Sequence, residues 1–207
     1  MCNRARFLHE PDTIFGAKGW LTERPRDNRF NPVELVPRSR AYIIREQDGV
    51  RGVDVMSWDL LGKGAAYPIT NVRDLARWRP RLERPEGRCL IPLTEFCEWT
   101  PTVHQVGEGK PIKGEMWFDV TDQDVFAVAG VWQQLGDQRW FAMLTCDANE
   151  LVAWYHPKAM ITIVHPDDHE RWLRGSYDDV LALQKPYPHE QMTVRGPVFP
   201  TRVPGDR

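Results

Sequence analysis

The sequence predicts an α+β fold, because strand-like segments dominate its first part, helical patterns are concentrated late, and the two do not alternate in regular βαβ order. The chain has 207 residues, a length that favours one domain with a core that needs no disulfides. It contains no repeat, low-complexity tract or long linker that would divide it. We therefore expect a single domain over residues 1–199 and a loose tail over 200–207.

Seven segments are rich in β-branched or aromatic residues and are bounded by Gly, Pro or Asp, which predicts strands, several of which should pair antiparallel. They cover residues 41–45, 50–58, 89–92, 96–99, 116–120, 125–132 and 140–145. Four segments have helical patterns. They cover residues 74–78 before Pro80, 148–154, 167–173 ending at Gly175, and 177–183, where Ser176 and Asp179 are spaced as a capping box.

Composition excludes several classes of protein. Lys and Arg number 27 against 29 Asp and Glu, so any nucleic-acid site must be a local basic patch rather than a generally basic surface. The four cysteines, Cys2, Cys89, Cys97 and Cys146, form no C-x-x-C pair, which argues against structural zinc and for a reduced, intracellular protein. Because no signal-like or membrane-spanning apolar stretch is present, we expect a soluble, cytoplasmic protein.

Cys2 is the residue with the most distinctive chemistry. Removal of Met1 would leave an α-amine and a thiol on one residue. Such an aminothiol attacks an aldehyde twice, first through the amine to give an imine and then through the thiol to close a thiazolidine ring. The alternative interpretation is that Cys2 is merely a small residue near a frayed terminus.

Two titratable residues are candidates for proton transfer. Glu98 lies in the aromatic segment 96–99, and if that segment alternates as a strand, Glu98 shares a face with Phe96. Burial there would raise its pKa toward neutrality, whereas an ordinary strand glutamate would be exposed. His156 stands where Pro157 must end a helix, and it is either a helix cap or a titrating catalyst. His165 and His169 resemble a zinc-binding helix pair only weakly, and we interpret both as surface histidines.

A stretch of arginines begins near Asn71, which itself has the spacing of a turn or helix N-cap residue. Interleaved with Trp78, these arginines form the best candidate for a phosphate-binding surface, because guanidinium groups bind phosphate and flat rings stack on bases. The alternative is that they are solvated charges partnered by Glu83 and Glu86. The stretch comprises Arg73, Arg77, Arg79, Arg81, Arg84 and Arg88.

Six short motifs, in order, resemble the SRAP (SOS response-associated peptidase-like) family. They are Met-Cys-Asn-Arg at 1–4, Asn-Val-Arg-Asp at 71–74, Arg-Cys-Leu-Ile-Pro at 88–92 with Phe-Cys-Glu-Trp at 96–99, Ala-Gly-Val-Trp at 129–132, Leu-Thr-Cys at 144–146, and His-Pro-Lys-Ala-Met at 156–160. The resemblance spans residues 1 to about 164. It implies an SRAP-like fold with a mostly antiparallel, barrel-like β core and a few short flanking helices.

The resemblance also implies a sensor of abasic sites in single-stranded DNA, acting as a monomer without cofactor, metal or membrane. Cys2 would form the thiazolidine, Asn71 would hold its amine or the sugar, and Glu98 and His156 would move protons. The residues that would bind DNA are Arg4 and Arg73 on phosphates, together with Trp58, Trp99, Thr145 and Lys158.

Several positions depart from the family pattern without touching the four catalytic candidates. Asn3 replaces a usual Gly, Asp59 replaces the Gly of Trp-Gly-Leu, Cys97 replaces Tyr, and Lys158 replaces Arg, which loses the bidentate fork. The stacking platform for DNA is therefore expected to differ. Three functions remain open: covalent capture of abasic DNA, an N-terminal-nucleophile cysteine peptidase that processes itself, and a non-covalent single-strand-binding module.

Overall fold

The computed structural model describes residues 3–9, 34–62, 66–121 and 123–199. The strands are β1 (Ala5–Arg6), β2 (Glu34–Leu35), β3 (Arg40–Gln47), β4 (Val50–Trp58), β5 (Asn71–Val72), β6 (Arg88–Leu93), β7 (Glu95–Trp99), β8 (Glu115–Val120), β9 (Phe126–Leu135), β10 (Gln138–Cys146), β11 (Met160–Ile161), β12 (Ile163–Val164) and β13 (Met192–Val198). The helices are α1 (Leu75–Leu82), α2 (Glu150–Ala153), α3 (His169–Arg174) and α4 (Tyr177–Leu183), and short 3₁₀ turns lie at Pro85–Gly87, Pro166–Asp168 and His189–Gln191.

Five strands close into a mixed barrel in the order β10-β4-β3-β6-β9, with β9 returning to β10. All of these pairings are antiparallel except the one between β4 and β10, which is parallel. β5 also pairs in parallel with β10, so Asn71 lies opposite Met143. The predicted α+β fold with a mostly antiparallel, barrel-like core and short flanking helices is confirmed.

A second sheet, antiparallel throughout, has the order β13-β8-β7-β1-β2. In it β1 pairs with β7, and Ala5 lies opposite Phe96. Phe96 stacks on Phe118 of β8 with ring centroids 5.0 Å apart, and both rings are buried. Burying side chains of this size contributes about 1.5–3 kcal/mol each, which holds β7, the strand that pairs with β1, against β8.

The barrel interior explains the apolar sequence of β6, whose six residues are all buried. A side chain at Gly130 on the neighbouring β9 would place its Cβ 2.4 Å from Ile91 Cδ1 and 2.8 Å from Cys89 Sγ. The glycine is therefore required by the close approach of these two strands.

All seven predicted strands are present, and the observed bounds of β4 and α4 coincide with the predicted ones. The Ser176–Asp179 capping box is also present. The helix predicted to end before Pro80 instead continues to Leu82. Pro80, the sixth of the eight residues of α1, removes one intrahelical hydrogen bond, and burial of Leu75 and Leu82 on either side holds the helix across that point.

The sequence analysis places Arg88 in the candidate phosphate-binding surface, but this side chain is buried. It is 0% exposed, and its guanidinium donates to the carbonyls of Leu82 at 2.6 Å, Trp172 at 3.0 Å and Gly175 at 2.7 Å. Carbonyls at the ends of α1 and α3 otherwise lack intrahelical partners. This side chain therefore ties the two helices to β6, and the prediction is wrong at this position.

Candidate functional site at the N-terminal strand

Cys2 lies outside the described residues, but the segment that follows it is firmly placed. The side-chain oxygen of Asn3 accepts hydrogen bonds from Thr70 Oγ1 at 2.9 Å and from Asn71 Nδ2 at 3.4 Å. Asn71 Nδ2 also donates to Thr70 Oγ1 at 2.9 Å. The residue adjoining Cys2 is thus connected to Asn71 at the start of β5.

The next residue connects the same segment to β7. The backbone N–H of Cys97 donates to the carbonyl of Arg4 at 2.9 Å, which places the strand containing Glu98 beside residues 3 and 4. Segment 3–4 therefore lies between the strand carrying Asn71 and the strand carrying Glu98. In the sequence Asn3 stands out only as a departure from the family pattern, because its connecting role depends on tertiary contacts that no local pattern shows.

Glu98 is a buried carboxyl group, 3% exposed. Its Oε1 has no hydrogen-bond partner within the described ranges. Because burial disfavours the charged form, the pKa of Glu98 is raised to about 7. A carboxyl group with such a pKa is populated in both protonation states near neutral pH, as proton transfer requires.

Burial of Glu98 predicts a pH-dependent stability difference between the protein and its Glu98→Gln variant. A pKa raised from 4.5 to about 7 means that the folded state binds the proton more tightly than the unfolded state does. The contribution of protonated Glu98 to the free energy of unfolding is fully present below about pH 4.5 and is lost as the pH rises through 7. The interval between the two pKa values corresponds to a free energy on the order of 3 kcal/mol.

Glutamine does not titrate, so the variant is expected to gain on the order of 3 kcal/mol in free energy of unfolding over the parent protein between pH 4.5 and pH 8. Urea unfolding of both proteins at the two pH values measures the difference. A difference that stays constant with pH would show that Glu98 ionises normally.

His156 follows α2 in a tight turn. Its Nδ1 lies 2.8 Å from the carbonyl oxygen of Ala159. A carbonyl can only accept, so Nδ1 carries the hydrogen, and in the neutral ring the lone pair is on Nε2. The preceding Tyr155 packs edge-to-face on Phe118 with centroids 5.6 Å apart, which attaches this turn to the sheet that contains Glu98.

Arg73 joins the end of β5 to the turn that carries His156. Its guanidinium forms an ion pair with Asp147 and lies 3.4 Å from the carbonyl of Lys158. Gln184 Nε2 donates at 2.8 Å to the carbonyls of both Arg73 and Thr145, which holds β5 against β10. Arg73 and Tyr155 thus connect the turn that carries His156 to the end of β5 and to the sheet that contains Glu98.

Two of the side chains expected to contact DNA are not accessible. Trp58 is 0% exposed and donates from its indole nitrogen to the carbonyl of Thr70 at 2.8 Å. Thr145 is 2% exposed, and its hydroxyl donates to the carbonyl of Val72 at 3.4 Å. A buried ring cannot stack on a base, and a buried hydroxyl cannot reach a phosphate, so these two predictions are wrong.

The other expected DNA contacts are at the surface to different degrees. Trp99, beside Glu98, is 39% exposed, and Lys158 and Arg73 are exposed. Arg4 is different, because its guanidinium forms ion pairs with the buried Glu115 and with Glu34. A phosphate at Arg4 would compete with two carboxylates, and the pairs themselves fasten the N-terminal segment to β2 and β8.

The structure shows two properties that the sequence did not indicate, the exposure of Trp154 and the burial of Asp59. Trp154, at the end of α2, is 79% exposed two residues before His156. Asp59 is fully buried, and its carboxylate accepts from the backbone N–H groups of Leu61 and Ile69 at 3.1 Å each. Asp59 thus connects Leu61 to Ile69 through its carboxylate.

Within the described ranges, no group of three or more His, Cys, Asp and Glu side chains is arranged to hold a metal ion. His169 is not a surface residue as expected. It is 6% exposed, and burial lowers its pKa to about 4, so it is neutral at physiological pH. Among the described residues, no helix is long and apolar enough to cross a membrane.

Solved structures share this fold. A Bacteroides thetaiotaomicron protein superposes with a TM-score of 0.69 at 20% identity, covering 98% of this chain and 99% of its own. A Bordetella bronchiseptica protein gives 0.71 at 18% identity, covering 93% and 98%. A phage-related protein of Bordetella bronchiseptica gives 0.69 at 18%, covering 94% and 93%.

No curated protein matches the sequence. The family model of the SOS response associated peptidases, SRAP, matches residues 1–199. The motifs predicted this relationship, and the match extends beyond the 164 residues that they span. The chain therefore belongs to the SRAP family.

Proposed function

We propose that this protein senses abasic sites in single-stranded DNA by forming a covalent thiazolidine between Cys2 and the abasic sugar. The observation that supports this most is Glu98, a buried carboxyl group with a pKa of about 7 on the strand hydrogen-bonded to residue 4. Cys2 is covalently joined to Asn3, and consecutive Cα atoms are about 3.8 Å apart. A proton donor in this place suits chemistry at the N-terminal residue.

The proposed reaction needs no external oxidant or reductant. The abasic deoxyribose opens from its hemiacetal to the aldehyde, and the α-amine of Cys2 adds to the aldehyde carbon. Loss of the former carbonyl oxygen as water gives the imine. The thiol sulfur then bonds to the same carbon, its proton passes to the imine nitrogen, and the five-membered ring closes.

Two proton transfers in this reaction can be assigned to titratable side chains of the candidate site. Neutral Glu98 donates a proton to the departing hydroxyl as the imine forms. His156, with its hydrogen on Nδ1 and a lone pair on Nε2, accepts the sugar hydroxyl proton during ring opening. Asn71, connected to Asn3, positions the amine or the sugar.

The test is a denaturing gel of the protein incubated with single-stranded DNA that carries one abasic site. We expect a slower band that resists SDS and that the Cys2→Ala variant does not form. Cys146→Ala is the matched control, because Cys146 is buried and its pKa is raised to about 11, so its thiol is unreactive and the band should persist.

Two results would overturn the proposal. Peptide-bond cleavage without any band would support the N-terminal-nucleophile peptidase. Binding of intact and abasic strands with equal affinity, and no band, would support a non-covalent binding module.

A further inference from the structure

Helix α1 leads away from the site on the side of Asn71. It begins at Leu75, two residues after Arg73, and the carboxylate of its N-cap residue Asp74 accepts from the N–H groups of Ala76 at 3.1 Å and Arg77 at 3.4 Å. Leu75 and Leu82 are buried, so the opposite side of the helix faces solvent. A strand bound at the site can therefore continue along this helix.

The arginines of this segment fall into two groups. Arg79 stacks over the ring of Tyr177 at 4.9 Å and forms an ion pair with Glu83 at 3.5 Å, and Arg88 is buried, where it ties α1 and α3 to β6. Arg77, Arg81 and Arg84, by contrast, have no side-chain hydrogen bond or ion pair within the part of the chain that the structure describes. We call these three residues the arginine row.

Helical geometry separates the row from Arg79. At 3.6 residues per turn and 1.5 Å per residue, Arg77 and Arg81 point about 40° apart and lie about 6 Å apart along the axis. Arg79 points about 160° away from both. Arg84 follows at the end of the helix, where Arg81 and Arg84 line a cavity of about 300 Å³ together with Trp132, Gln133 and Glu86.

We propose that the arginine row binds successive phosphates of the single strand that flanks the lesion, on one side of the site only. The choice of DNA as partner rests on the proposed function. The chain has a net charge of −2, yet the arginine row concentrates three unpaired guanidinium groups in one segment. This segment follows Arg73 of the candidate site in the sequence. Favourable contact with the helix C-terminus would explain Arg81, which lies in the last turn with Arg79, but it would not explain Arg77, which lies outside that turn.

Binding of intact single-stranded DNA, with no abasic site, tests the row independently of Cys2 chemistry. Fluorescence anisotropy at several salt concentrations should show about tenfold or greater loss of affinity for the triple variant Arg77→Ala, Arg81→Ala, Arg84→Ala. Its salt slope should fall by about 2, which is three phosphates at about 0.7 each. Arg79→Ala removes the same charge from the same helix and should leave the slope unchanged.

The second measurement uses abasic oligonucleotides with the lesion at one end, so that the flanking strand lies only on its 5′ or only on its 3′ side. The triple variant should lose affinity for one of them and bind the other as the parent protein does. Equal losses of affinity for the two oligonucleotides, or the same loss in Arg79→Ala, would show that the arginine row does not bind the flanking strand. If crosslinking fails while these binding results hold, the covalent mechanism is wrong and the row stands.

Discussion

Crosslinking to abasic DNA is expected to disappear when the α-amine of Cys2 is blocked by a retained Met1 or an N-terminal tag, although the thiol is intact. The amine has an ordinary pKa of about 7.7–8.0 and the thiol about 8.5, so at neutral pH a useful fraction of the amine is free and can start the reaction. Without it Cys2 cannot form an imine, and its thiol cannot close the thiazolidine ring. A time course on denaturing gels, comparing processed and tagged protein, measures the effect.

Cys2→Ser separates the roles of the two groups, because it keeps the amine and weakens the second nucleophile. We expect a linkage that borohydride traps but that heat or a competing amine reverses, whereas the parent linkage survives without reductant. A tagged protein that crosslinks as fast as the processed one would mean that Cys2 acts as an ordinary thiol.

The strands of the barrel could be predicted because their signal is local. Segments such as 50–58 and 140–145 carry β-branched and aromatic residues between turn residues, and this composition suits a pleated, half-buried surface. The parallel contact of β4 with β10 and the two-residue strands β1 and β5 could not be predicted. Their pairing depends on closure of the barrel and of the second sheet, which no short window of sequence records.

The candidate site, like the fold, could be predicted from the sequence only where its features are local. Glu98 could be predicted as a candidate because an acidic residue in an aromatic strand is either exposed to solvent or buried with a raised pKa. In the structure it is buried. Trp58 and Arg4 were assigned to DNA by resemblance alone. Burial of the first and pairing of the second with Glu115 are tertiary properties, and Glu115 lies 111 residues from Arg4 in sequence.

The Glu98→Gln variant is expected to crosslink about 10²–10⁴-fold more slowly than the parent protein, because it cannot donate a proton to the departing hydroxyl. The pH profile is the more specific measurement. Glu98 is a donor only below its pKa of about 7, and the amine is a nucleophile only above about 7.7–8.0. The parent rate should therefore pass through a maximum at neutral pH and decline on both sides.

In Glu98→Gln the decline at alkaline pH should vanish, so that the residual rate rises with pH through the pKa of the amine and then levels off. Its affinity for intact single strands should match the parent, since glutamine has nearly the same shape and Glu98 acts only on the reacting sugar. Equal losses in binding and rate would indicate a damaged fold, which the urea measurements would reveal. A descending alkaline limb that persists in Glu98→Gln would assign that limb to another group and remove Glu98 from the mechanism.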